Sequence, residues 1–139
     1  MKSSTERILS THVGSLPRSK AVTDVVFAQE RGTLSDEPAA QKTIAAAVLE
    51  VVARQQAAGI DVVSDGEMSK ISYATYIKDR ITGFEGDSAR QPPKDLEAFP
   101  SFLARQASSG GTPTYRRPCC VGEIRPNTLE PLETDLRNL

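Results

Sequence analysis

The sequence predicts an α/β fold built on parallel strands. Two short apolar runs, Ile8–Val13 and Ile60–Val63, flank a long helical pattern, and each run ends in a polar cluster rich in turn residues. The order strand, helix, strand implies a right-handed parallel crossover, because two strands joined through a helix pack back onto one sheet in that sense. A chain of 139 residues is long enough for one compact domain.

The elements follow in order. After the first run, Lys20 to Arg31 carries Val22, Val25, Val26 and Phe27 at a loosely helical spacing and is ended by Gly32. Glu37 to Ala58 is the best-defined helix: Pro38 suits its first turn and Gly59 stands where a C-terminal stop belongs. On a helical wheel Ile44, Ala45, Val48, Leu49, Val51 and Val52 cover one broad side, with Thr43, Glu50 and Arg54 opposite. Ile60, Val62 and Val63, bounded by Gly59 and by Asp65-Gly66, read as a strand buried on both faces. Ser69 to Ile81 is expected to be helical, with Tyr73 and Tyr76 covering the core and holding their hydroxyls in water. Gly83 to Pro113 is loop-like, with a short helix at Asp95 to Ala107. Arg117 to Ile124 is extended, and Leu129 to Leu139 resembles the opening of a helix. Two or three parallel strands with apolar faces leave an open sheet edge, so the chain reads as part of a larger fold.

Charge and composition exclude several classes of function. Seventeen basic residues face 18 acidic ones, for a formal net charge of -1, and neither sign forms a block. The electrostatic footprint of a nucleic-acid or anionic-membrane binder is therefore missing. No apolar run is long enough to span a bilayer and the N-terminus has no apolar signal-peptide core, so a soluble, cytoplasmic chain is expected. The two cysteines, Cys119 and Cys120, are adjacent and point to opposite faces of an extended segment. One is expected to be a small buried residue and the other a partly exposed thiol. With a single histidine, His12, they cannot complete a tetrahedral zinc site without carboxylates. No phosphate-binding loop, nucleophile elbow or CxxC pair is present.

What remains are the two polar clusters. In parallel α/β folds ligands collect at the carboxyl ends of strands, and both His12–Ser15 and Asp65–Glu67 fall there, so a parallel sheet sets them side by side. Gly14 permits close backbone approach, Ser15 offers an N–H and a hydroxyl to a carboxylate, and Glu67 suits an ammonium group. Together they can hold the two ends of an amino acid. The plainer reading also stands on pattern alone: Gly14, Pro17 and Asp65-Gly66 are what sharp turns use. A lone histidine such as His12 is more often a hydrogen-bonding side chain than a metal ligand or base, and a solvated surface position is favoured for Arg18 over contact with an acidic ligand.

The blocks STHVGSLPR, RQQAAGIDVVSDGEMSK and CCVGEI, in that order, resemble the cobalamin-independent methionine synthase family, specifically its C-terminal, catalytic-domain-like members. The resemblance runs through essentially the whole chain, residues 1–139, and corresponds to the N-terminal part of the family's barrel. It implies a partial TIM (β/α)₈ barrel, first strands and helices only, in an enzyme that transfers a methyl group from a methyl-folate to the zinc-activated thiol of homocysteine. By the same resemblance Val13, Gly14 and Ser15 contact the amino-acid part of homocysteine and Glu67 holds its amino group. His12 is typical of the shorter members. Zinc is the expected cofactor, but the family's ligands come from later strands; no metal ligand and no catalytic residue is carried over, and the isolated chain is expected to bind zinc poorly and to turn over nothing. Two alternatives accompany this reading: related zinc-dependent alkyl transfer to another thiol, and a non-catalytic barrel fragment that self-associates or docks to a complementary barrel chain.

Overall fold

The computed structural model describes residues 3–71, 73–78, 80–86, 94–108 and 118–139, except the side chains at 73–75 and 106–108. Its centre is a helical pair. Helix α1, Lys20–Glu30, starts where the Ser19 hydroxyl accepts from the Val22 N–H at 3.3 Å. Helix α2, Glu37–Ala57, starts where the Asp36 carboxylate accepts from the Ala39 N–H at 3.0 Å, with Pro38 in its first turn. Both end in the same way. Gly32 and Gly59 take positive φ, +65° and +78°, and the next residue reaches back over the last turn: Thr33 N–H donates to Ala28 O at 2.9 Å and Ile60 N–H to Gln55 O at 3.0 Å.

The core forms where α1 meets α2. Val22, Val26 and Phe27 pack with Ile44, Val48 and Val51, and Met68 and Ile71 close the cluster from the following segment. The buried line along α2 is Ala40, Ile44, Val48, Val51 and Gln55, narrower than the wheel suggests: Leu49 is 70 % exposed, because α1 covers a single stripe. Gln55 is buried and polar, and its amide explains why. Nε2 donates to Val51 O at 3.1 Å and Ser64 O at 2.7 Å, while Oε1 accepts from Ser64 N–H at 3.0 Å, which ties α2 to the segment leading into the second polar cluster.

The two apolar runs are parallel neighbours, but they are shorter than expected: one parallel bridge, Thr11 to Val62, replaces two strands. Val62 N–H donates to Ser10 O at 3.1 Å and the Thr11 hydroxyl to Val62 O at 2.8 Å. Parallel pairing is weak without neighbours on both sides and a layer on each face. Here Ile8 is 91 % and Val13 87 % exposed, so the run is covered only in part. Asp61 supplies what the ladder lacks. Its carboxylate accepts from Ser10 N–H at 2.9 Å, from the Ser10 hydroxyl at 3.0 Å and from both Nη atoms of Arg7.

Those donors, Arg7 first, hold the Asp61 carboxyl well below the usual carboxylate range. A depressed folded-state pKa contributes stability that is fully present above the unfolded value of about 3.9 and is lost as pH falls toward the folded one. The thermal midpoint is therefore expected to drop as pH falls below about 4. Asp61→Asn should be less stable than the parent above that pH and should lose less on acidification; parallel profiles of midpoint against pH would remove Asp61 from this role.

Beyond the core the structure departs further from the expected elements. The sequence pattern predicts one helix over 69–81; among the described residues of that span, which exclude 72 and 79, the helical ones are α3, Tyr73–Lys78. The carbonyl of Lys70, which such a helix would use, instead accepts from Arg18 Nη2 at 2.6 Å. Strand β1, Phe84–Glu85, pairs antiparallel with β2, Cys119–Cys120, placing Phe84 opposite Cys120 and Glu85 opposite Cys119. Gly83 is required at this crossing: it has φ +87°, and a Cβ there would lie 2.7 Å from Gly122 O. Both cysteines are exposed, which corrects the expectation that one is buried: their strand is two residues long and both of its side chains reach the surface. The expected helix 95–107 appears as a 3₁₀ turn, Lys94–Leu96, followed by α4, Pro100–Ser108. The last helix, α5, is Glu130–Asn138. The Tyr76 hydroxyl is not in water: it donates to Asp135 on α5, with Lys70 and Arg80 against its ring at 4.4 and 3.5 Å. The side chain of Tyr73, residues 87–93 and 109–113 of the expected loop region, and the start of the expected extended piece at Arg117 lie outside the described residues.

The described residues thus form a mixed α/β structure with a small sheet. Among them no helix is long and apolar enough to cross a membrane.

Candidate functional site

The turn after the first run and the turn after the second lie against each other. Leu16 N–H donates to Gly66 O at 3.0 Å, and Gly66 is buried under Leu16, with a Cβ at 66 falling 3.1 Å from Leu16 Cβ. One residue before Leu16 and one after Gly66, the Ser15 hydroxyl donates to Glu67 Oε2. The structure therefore brings Ser15 and Glu67 together, and the parallel direction of the Thr11–Val62 bridge is what puts both at the same end.

Around this pair each candidate residue has a definite place. Gly14 has φ +93° and open space where a Cβ would point. Val13 is exposed beside it. Asp65 Oδ1 accepts from Glu67 N–H at 2.9 Å and its Oδ2 meets Lys70 Nζ at 3.0 Å, so Asp65 serves the turn. Arg18 is half-buried and directs its guanidinium to main-chain carbonyls of the turn, Glu67 O and Lys70 O. Burial lowers its pKa, with Glu67 and Asp65 acting in the opposite sense. His12 stands apart from these contacts: it is half-buried, and its Nε2 has no hydrogen-bond partner.

Glu67 itself is in the left-handed region, φ +56°, among the described residues the one non-glycine with positive φ. Its side chain thus emerges from a backbone that a simple helix or strand would not produce. Sequence reasoning placed Glu67 at the rim but did not find the roles of Arg18 and Lys70, since contacts to carbonyls leave no spacing signal. An open cavity of about 410 Å³ lies elsewhere, between α1, α2 and α5, with Glu30, Lys70, Tyr76, Lys78 and Asp135 in its wall. Neither Ser15 nor Glu67 lines it. Lys70 joins the two regions, with Asp65 at 3.0 Å and Asp135 at 3.5 Å.

Zinc finds no fitting donor set here. Among the described residues no three side chains of His, Cys, Asp or Glu are grouped to hold a metal ion, and Cys119 and Cys120 sit in an exposed ribbon.

The family model described as "Cobalamin-independent synthase, Catalytic domain" matches residues 8–91, more than half of the chain and the segment that contains both turns. The chain belongs to that family. Within it, the chain is similar to the methionine synthase of Sulfolobus acidocaldarius, 33% identical over 115 residues, which cover 83% of this chain and 32% of the relative. The methionine synthases of Sulfurisphaera tokodaii and Saccharolobus islandicus are each 33% identical over 76 residues, 55% of this chain and 22% and 23% of those relatives. The chain spans about a third or less of the length of these curated family members.

Proposed function

We propose that this chain carries the amino-acid-binding part of a methionine-synthase-type methyltransferase, taking homocysteine as methyl acceptor, within the N-terminal portion of a (β/α)₈ barrel. The observation that carries the reading is the hydrogen-bonded pair Ser15–Glu67 at the meeting of two strand-end turns. Glu67 accepts the substrate ammonium through the carboxylate oxygen not engaged by Ser15, the geometry of a charge-assisted hydrogen bond. The Gly14–Ser15 turn offers backbone N–H groups to the substrate carboxylate, and the absent Cβ at Gly14 keeps the approach open. Val13, exposed beside the turn, contacts the aliphatic part. Methyl-folate as donor and the zinc-activated thiol belong to the family reading and enter no step here.

Calorimetric titration of the 139-residue chain tests the reading with three ligands. Homocysteine should bind, and analogues lacking either the amino or the carboxylate group should each bind at least about tenfold more weakly, since each leaves one end of the site unpaired. Equal binding of all three would sink the reading. A thiol without an amino-acid moiety binding best would instead favour alkyl transfer to another thiol.

The apolar exposure of Ile8 at 91 %, Val13 at 87 % and Val121 at 61 % favours a second, compatible reading, in which the chain associates with a further copy or with a complementary barrel chain. Sedimentation of the chain as a monomer at high concentration would rule out self-association.

A further inference from the structure

We propose that Arg18 is a positioning residue, whose guanidinium fixes the main chain of Glu67 in the left-handed conformation from which its carboxylate meets Ser15. The importance of this brace for binding rests on the reading of Glu67 as the ammonium-binding group. Glutamate has neither the freedom of glycine nor the short side chain that lets Asn or Asp visit positive φ, so φ +56° at Glu67 must be held from outside. Arg18 holds it. Nε and Nη2 donate to Glu67 O at 3.3 and 2.8 Å, and Nη2 also donates to Lys70 O at 2.6 Å, which spans the turn on its carbonyl side. On the other side Asp65 Oδ1 takes the Glu67 N–H at 2.9 Å. The peptide planes on both sides of Glu67 are thereby fixed while its side chain remains directed to Ser15.

The choice of residue follows from this geometry. A guanidinium is a flat fork that reaches two carbonyls at once, whereas an ammonium is a point donor on a flexible stem. Arg18 is also half-buried, so its contacts to the turn are shielded from competing water. It leaves the Glu67 carboxylate to Ser15, which a side chain recruited to neutralise Glu67 would not do.

The test uses the isotopically labelled 139-residue chain with Arg18→Gln and Arg18→Lys. Carbon shifts and the amide coupling of Glu67 report the sign of its φ, titration reports homocysteine affinity, and urea unfolding reports the fold. In Arg18→Gln, Glu67 should lose its left-handed signature and homocysteine should bind about tenfold more weakly, the loss of one charge-assisted contact. Arg18→Lys should fall between that variant and the parent, and it carries the test alone if Arg18→Gln does not fold. A Glu67 that keeps positive φ without the guanidinium overturns the proposal. Failure of the parent chain to bind homocysteine would overturn the role of Glu67 instead, and the φ measurement would still decide what Arg18 does.

Discussion

Glu67→Ala is expected to weaken homocysteine binding by roughly 30-fold or more, the lower end of the cost of removing one partner from a paired charge contact. The physical reason is local. The substrate ammonium would lose its acceptor, and the Ser15 hydroxyl would lose the carboxylate that orients it. Glu67→Gln should retain the shape and the hydrogen bond from Ser15 but not the charge, and so should bind less tightly than the parent and more tightly than Glu67→Ala. Stability should change little, because Glu67 is only half-buried and outside the core cluster. Titration of the three chains side by side, with unfolding curves as the control, measures this directly. An affinity unchanged in Glu67→Ala would remove the residue from the site.

Ile44→Ala should produce the largest loss of stability, about 2–5 kcal/mol. Ile44 is 2 % exposed and packs with Val22, Val26, Phe27 and Val48 where α1 meets α2. The missing atoms leave a cavity between two helices fixed by their caps, which can close only in part. Against the roughly 5–15 kcal/mol that holds most domains folded, such a loss is severe. Leu49→Ala, five residues along the same helix, is the matched control: at 70 % exposure it should shift stability by less than about 0.5 kcal/mol. Urea midpoints that moved equally for both variants would show that the buried stripe of α2 is misplaced. The core also bears on the site, because Met68, next in sequence to Glu67, is part of the same cluster.

The helices that carry strong local signals were legible in the sequence. Gly32, Pro38 and Gly59 mark ends of α1 and α2 because such signals act within one turn of the boundary, whereas the caps Ser19 and Asp36 emerge only in the structure. The parallel sense of the two apolar runs was legible as well, since an intervening helix demands it. How far they pair was not: strand length depends on neighbouring strands and covering layers, which a local pattern does not encode. For the same reason the wheel placed Leu49 with the buried residues, although only the covering helix decides where a stripe ends. At the site, Gly14, Ser15 and Glu67 stood out through residue type and position. Gln55 and Lys70 did not, and Arg18 was singled out only as a candidate contact for an acidic ligand, because their contacts to carbonyls and to Asp65, Ser64 and Asp135 join positions with no periodic relation.

The pairing of the two turns into one binding surface is tested most directly by mapping homocysteine onto the backbone amides of the labelled chain during a titration. The amides of Val13–Leu16 and Arg18 and those of Asp65–Lys70 should shift together, with a single dissociation constant, while those of β1, β2 and α5 stay in place. Shifts confined to one of the two turns, or gathered instead around the cavity walled by Glu30, Lys78 and Asp135, would contradict a shared site for the two ends of an amino acid.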